Sequence, residues 1–290
     1  MTTLNHPAEL ALHGLLEKVV KGQASFSQNT AEQIADDIKE AILKQFNAGG
    51  KRDFKLRMSN VGRPYCQLWF DKNKSDEAQP KPTTFVINML LGDIVEAVFK
   101  GLLTEAGVQY KNSEQVELDI GSERDSISGT YDIAIDGSVD DIKSASDWSY
   151  KNKFESYTSL KSGDAFGYVG QLAGYAKASG LKPGGWWVVN KSNGQFKYVK
   201  ADIDIDEELI KIKEVSDKLK RNKFERCYEA IDETFRGKLT GNKMLGKECT
   251  FCNYKHSCWP TLKVLPAVKS QAKEPKMVHY VHMTKENINE

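Results

Sequence analysis

Apolar residues at Leu10, Leu12, Leu15, Leu16, Val19 and Val20 predict a short amphipathic helix over 7–20. A break at 22–28 follows. Thr30 with Gln33 three residues on has capping-box spacing, which predicts a second helix to about 46, closed by Asn47, Ala48, Gly49 and Gly50. A polar loop at 71–82 leads into an apolar helix over about 85–103, then a strand at 115–119 and a polar turn at 121–125. The clearest β signal is 129–143, where Asp136-Gly137 between two β-prone runs predicts a tight hairpin. A helix over 164–178 ending near Gly180 comes next. Strands at 184–190 and 195–199, joined by a turn at 191–194, would extend the hairpin's sheet. A long helix is predicted over 206–236, with Leu209, Ile212, Val215, Leu219 and Phe224 on its apolar side and Cys227 as a core residue in its last third. From 260 onward the chain has no clear period and reads as a polar tail or a peripheral helix.

Composition narrows the class. The 290 residues hold 40% hydrophobic and 28% charged side chains, as a globular chain with a sizeable core does. With 41 basic and 40 acidic residues, overall charge selects no partner, so an anionic ligand would need a local basic patch. Lys51, Arg52, Lys55, Arg57 and Arg63 form one such run, read as surface charge or as a phosphate contact. No apolar run approaches the roughly 18 residues of a membrane span, and residues 1–7 lack the layout of a signal peptide. Five cysteines, an odd count, argue against a disulfide framework.

Chemistry concentrates in the hairpin. Side chains alternate along a strand, so Asp141 and Lys143 share a face, and Asp132 on the partner strand can join them. Two carboxylates and an amine in a small space suit a hard divalent cation with open positions for water and phosphate. Just downstream, Ser144, Ser146, Trp148, Tyr150, Lys151 and Lys153 mix hydroxyls, aromatics and lysines. That set could hold a backbone and stack on unpaired bases, or form an ordinary loop with its rings packed inward. Gln171 and Tyr175, four apart, share one helical face. Cys249, Cys252 and Cys258 form a C-x2-C-x5-C group whose thiolates ask for a soft or borderline metal. Zinc held locally by Cys249, Cys252, His256 and Cys258 is one solution, and an iron–sulfur cluster with a remote fourth cysteine is the other.

Gly129-Thr130-Tyr131-Asp132 ahead of Asp141-Ile142-Lys143 resembles the PD-(D/E)xK nuclease superfamily, in the branch of RecB-type and Cas4-type nucleases. Gly92 with Glu96 upstream, Gln171 with Tyr175 downstream and the cysteine triplet match in the same order, so the resemblance spans about 66–258. It implies an α/β restriction-endonuclease-like core, a central mixed β-sheet flanked by helices. It implies helical N-terminal and C-terminal segments joined by an iron–sulfur cluster. The matching division is a helical region at 1–63, a nuclease core at 64–259 and a tail at 260–290. It implies hydrolysis of DNA phosphodiesters at ends or on single strands, in recombination, repair or phage DNA metabolism. One or two Mg²⁺ or Mn²⁺ ions would be held by Glu96, Asp132, Asp141 and the Ile142 carbonyl. Lys143 would orient water or stabilise phosphate charge, with Gln171 and Tyr175 positioning water and backbone. Cys66 fits the upstream ligand position of a 4Fe-4S cluster closed by Cys249, Cys252 and Cys258. DNA is the implied partner, with a helicase or recombination protein alongside, in the cytoplasm of a prokaryotic or phage-infected cell. Asp140, where an apolar residue is common, competes with Asp141 for the metal, and the spacing to Lys143 selects Asp141. A DNA-end-binding subunit that does not cut and a zinc-stapled interaction protein are the alternatives.

Overall fold

The computed structural model describes residues 5–47, 53–121, 126–268 and 270–284. Lys51, Arg52, the expected glycine stop at 49–50 and residues 122–125 of the expected turn lie outside the described residues. The chain opens with helices α1 (Pro7–Val20), α2 (Gln28–Phe46), α3 (Tyr65–Asn73) and α4 (Thr84–Glu105). Strands β1 (Tyr110–Lys111), β2 (Glu114–Asp119), β3 (Ser126–Tyr131), β4 (Ile133–Ile135) and β5 (Ser138–Ala145) follow. Then come α5 (Tyr157–Ser162), α6 (Tyr168–Ser179), β6 (Lys182–Asn190), β7 (Phe196–Lys200) and α7 (Ile205–Arg221). The chain closes with β8 (Ile231–Phe235), β9 (Lys238–Met244), α8 (Lys247–Thr250), α9 (Lys255–Cys258), β10 (Lys263–Pro266) and β11 (Met277–His282). Backbone packing divides it into two units, Met1–Gly62 with Pro82–Ser216 and Arg63–Lys81 with Asp217–Glu290.

The first unit is a five-stranded mixed sheet in the order β1-β4-β5-β6-β7, parallel only between β5 and β6. Asp136 and Gly137 both take positive φ (49° and 75°), as a two-residue hairpin turn of the right twist demands. Trp186 and Trp187 on β6 point to opposite faces and both are fully buried, so β6 is covered on two sides. On one face α1 and α4 bring Leu12, Phe99 and Leu103 against Ile133, Ile135, Ile142 and Trp187. On the other, α6 and the segment around Met58 bring Met58, Leu172 and Tyr175 against Tyr131, Trp186 and Val188. The cap of α2 is a correction: Ser27, not Thr30, is the capping residue and accepts the Thr30 N–H, while Thr30 is buried and bonds Glu105. Helix α6 starts at Tyr168 rather than 164 because the Asp164 carboxylate accepts the N–H groups of Tyr168 (2.9 Å) and Val169 (2.8 Å) ahead of the first turn.

The second unit departs most from expectation. Its sheet is antiparallel, β10-β11-β9-β8, so the C-terminal segment expected to be helical is largely β-structure with two one-turn helices. The long helix stops at Arg221, not 236: Asn222 turns left-handed (φ 57°) and its N–H bonds the Lys218 carbonyl at 3.0 Å, a helix-ending geometry asparagine tolerates. Cys227 therefore lies outside the helix and is exposed rather than in the core. The expected tail forms β10 and β11, with Tyr280 buried and donating to Glu233 at 2.5 Å. Helix α3 is tied to the C-terminal part of its unit by stacking of Phe70 on Tyr254 (5.0 Å) and by the Tyr254 hydroxyl donating to Asp71 (2.6 Å). Among the described residues no helix is long and apolar enough to cross a membrane.

Candidate functional site

The register Ile133↔Asp140 places Asp132, at the bend between β3 and β4, beside Asp141 on β5. Asp132 accepts the Ile142 N–H at 2.7 Å, and Lys143 Nζ lies 2.5 Å from Asp141 Oδ2. Ile142 meets Asp132 through its N–H. Burial pushes the Asp132 carboxyl up to about 6, helped by the Asp141 charge and opposed by Lys143. Asp141 is also raised by burial, with Lys143 pulling it down and Glu96 pushing it up. Burial works against the Lys143 charge, but Asp141 and Asp132 outweigh it and hold the ammonium protonated. From α4, Glu96 pairs with Lys100 at 2.6 Å, and its carboxyl is raised by burial and then by the charge of Asp132. Gly92, one turn earlier, would bring an added Cβ to 3.7 Å from Ser144 Oγ, so this turn of α4 lies on β5. Gln171 Nε2 donates to the Tyr175 hydroxyl at 3.2 Å, and burial, then the Asp141 charge, keep that phenol protonated. Glu96, Asp132, Asp141, Lys143 and Tyr175 therefore sense one another electrostatically, with Gln171 hydrogen-bonded to Tyr175.

Asp140 goes the other way. It is fully buried on the opposite face, where Tyr198 donates to its Oδ1 at 2.8 Å, and burial pushes its carboxyl up to about 7. An added Cβ on Gly184 would meet Asp140 Oδ1, so β6 leaves room for this carboxylate through a glycine.

The lysine- and aromatic-rich stretch after β5 is divided. Trp148 is exposed, Tyr150 packs partly into the core with Lys197 Nζ 4.4 Å from its ring, and Phe154 is buried. Ser146 is exposed and bonds Ser149, while Ser144 is half-buried on β5. Lys151 pairs with Asp147 at 2.8 Å. Lys153 turns inward, among the rings of Phe154, Phe166 and Tyr168. Of the basic run, Lys55 and Arg57 are exposed and Arg63 is half-buried.

In the second unit, Cys66, Cys249, Cys252 and Cys258 line one pocket, walled by Phe70, Tyr228, Tyr254 and Trp259. All five cysteines are free thiols. Exposed His256 is not among the lining residues, and Cys66 completes the set in its place. Burial, then the charges of Cys252 and Cys258, push the Cys249 thiol up to about 11, and burial raises Cys252 and Cys258 as well. Cys227 Sγ accepts the Cys66 N–H at 3.1 Å, and its bond to the Cys66 thiol holds it down at about 7. Among the described residues no group of three or more His, Cys, Asp or Glu side chains is arranged to hold a metal ion as it stands. At the acids the reason is local: Lys143 and the Ile142 N–H already occupy oxygens of Asp141 and Asp132.

No protein-family model and no curated protein matches the chain. Among solved structures, the crystal structure of SSO0001 is similar over 79% of this chain and 96% of that chain, at 12% identity and a TM-score of 0.42. That likeness is too loose to bear on chemistry.

Two groups near these sites escape a sequence reading. Lys100 is buried beside Glu96, and its i,i+4 spacing was the available signal. Cys227 reaches Cys66 because the helix ends early, and the Arg221-Asn222 stop was the signal for that.

Proposed function

We propose that the chain is a metal-dependent deoxyribonuclease that hydrolyses phosphodiesters of DNA ends or single strands. The observation that carries this reading is the gathering of Glu96, Asp132 and Asp141, with Lys143 on Asp141 and all three carboxyls raised by burial and mutual repulsion. Carboxylates held this way gain by sharing a cation. Asp132, Asp141 and Glu96, with the Ile142 carbonyl, would hold Mg²⁺ or Mn²⁺, which when bound polarises phosphate and lowers the pKa of water. Lys143 stays protonated and supplies positive charge where a phosphate oxygen becomes more negative. Gln171 fixes the Tyr175 hydroxyl, and that neutral phenol donates a hydrogen bond to water or backbone.

The pocket of the second unit fits a four-thiolate group, since it presents four cysteine sulfurs and no imidazole. Cys66, Cys249, Cys252 and Cys258 would hold a 4Fe-4S cluster that joins α3 to the C-terminal strands of that unit. Iron and acid-labile sulfide near about four per chain after anaerobic purification supports this. One zinc on a colourless protein replaces the cluster with a zinc staple.

The deciding experiment incubates anaerobically purified protein with labelled single- and double-stranded DNA, linear and circular, with Mg²⁺ or Mn²⁺, beside Asp141→Ala. Metal-dependent cutting of linear DNA that is lost in the variant establishes an exonuclease at this site, and cutting of circles an endonuclease. Intact, folded protein that binds DNA ends without cutting overturns the enzyme reading in favour of a binding subunit.

A further inference from the structure

Ten residues after Lys143 a second lysine stands in an unusual place. Residues Ser149–Lys153 form a single π-helical turn, a wider winding than an α-helix that recurs at functional positions. It delivers Lys153 between Phe166 and Tyr168, with Nζ 4.6 Å and 4.2 Å from their ring centroids, and 5.9 Å from that of Phe154. The ammonium is buried and has no hydrogen-bond partner. Asp164 is the acid it senses, yet both Asp164 oxygens are engaged by the N–H groups that open α6. Lys143 Nζ lies 5.2 Å from the centroid of the same Tyr168 ring, so one aromatic stands beside both lysines. Rings attract a cation but replace only part of its lost hydration. The bland alternative, a lysine whose head reaches solvent over an apolar stem, is excluded by the buried nitrogen.

We propose that Lys153 is a phosphate-binding residue of this site, taking a backbone phosphate of single-stranded DNA beside the phosphate that Lys143 contacts. The assignment rests on the nuclease reading for its ligand. Burial holds the Lys153 amine down at about 8, so it carries its charge at neutral pH and gains most from an anion that supplies the missing acceptors. Phe166, one ring of the cage, is 60% exposed, so one wall around the ammonium is a surface side chain.

The test measures binding of a fluorescein-labelled single-stranded oligonucleotide to the full chain in EDTA, across a salt series, for wild type, Lys153→Met and Lys153→Arg. On a single strand, each phosphate that is no longer neutralised makes the slope of log K against log salt shallower by about 0.7. Lys153→Met is expected to show that change and Lys153→Arg to keep the wild-type slope. An unchanged slope in Lys153→Met overturns the assignment, even where affinity falls, because a packing defect releases no counterions. Removing an unpartnered buried charge should leave the thermal midpoint unchanged or raise it, so misfolding does not mask the result. Cutting by wild type with an unchanged Lys153→Met slope refutes this assignment alone. A shallower slope in a chain that never cuts refutes the nuclease alone, and absence of wild-type binding overturns both.

Discussion

The acid–lysine site and the cysteine pocket solve the same problem in different ways. Each gathers groups that repel once ionised, from segments far apart in the chain. At the acids the protein supplies the counter-charges itself: Lys143 on Asp141, Lys100 on Glu96 and the Ile142 N–H on Asp132. In the pocket, burial and neighbouring charges push Cys249, Cys252 and Cys258 toward the neutral form, with four aromatic rings and one cation, Lys255, among the lining residues. The first site can hold its geometry with nothing bound. The second holds its thiols in the neutral form.

Four changes probe that contrast, from the largest effect down. Lys143→Ala is expected to cut DNA turnover by about 10³-fold, measured under single-turnover conditions, while oligonucleotide affinity stays within a few-fold. Normal turnover would remove Lys143 from the chemistry. Cys66→Ser is expected to empty the pocket, so bound iron or zinc falls to near zero in elemental analysis and proteolysis of the 63–81 segment quickens. Cys227→Ser should retain the metal. Equal losses from both would mean that Cys227, not only Cys66, is a ligand.

The third change concerns Asp140. Its folded carboxyl sits near 7, far above that of an unfolded aspartate, so the native state binds more protons between about pH 4 and 7. Stability from this residue is therefore full at low pH and is lost as pH rises through 7. Asp140→Asn should remove the loss, and its gain in thermal midpoint over wild type should grow from pH 5 to pH 8. The ceiling is on the order of 4 kcal/mol. A gain independent of pH would show that Asp140 is neutral or ionised throughout. Last, Lys151→Ala breaks an exposed pair with Asp147 and should leave the midpoint of a denaturant titration essentially unchanged.

Much of the first unit was legible because strand alternation is strictly periodic. Asp141 and Lys143 on one face, the Asp-Gly turn and the addition of β6 to the hairpin's sheet follow from short-range pattern, whereas the parallel direction of that pairing does not. The Asp140 ambiguity resolves by the same alternation, once Tyr198 is seen to receive it. What stayed hidden depends on distant partners. Ser27 caps α2, and its hydroxyl and that of Thr30 both donate to Glu105, 75 residues from Thr30, a partner the local spacing does not show. The helical period runs on past Arg221 to Phe224, but that ring packs on Trp69 and Phe70 instead of continuing the helix. Strands β10 and β11 pair with each other and with β9, and their exposed edges carry little alternation to announce them.

Gly129 shows what a signature glycine can record. An added Cβ there would stand 2.5 Å from Met58 and 2.8 Å from the Tyr175 ring. The residue's contribution is empty space, and the tyrosine of the site occupies it. Position 129 should therefore covary with 58 and 175 across descendants of this fold. A chain with alanine at the first is expected to carry a smaller residue at one of the other two, so that loss of a glycine in one strand is answered by a change in a helix or loop far away in sequence.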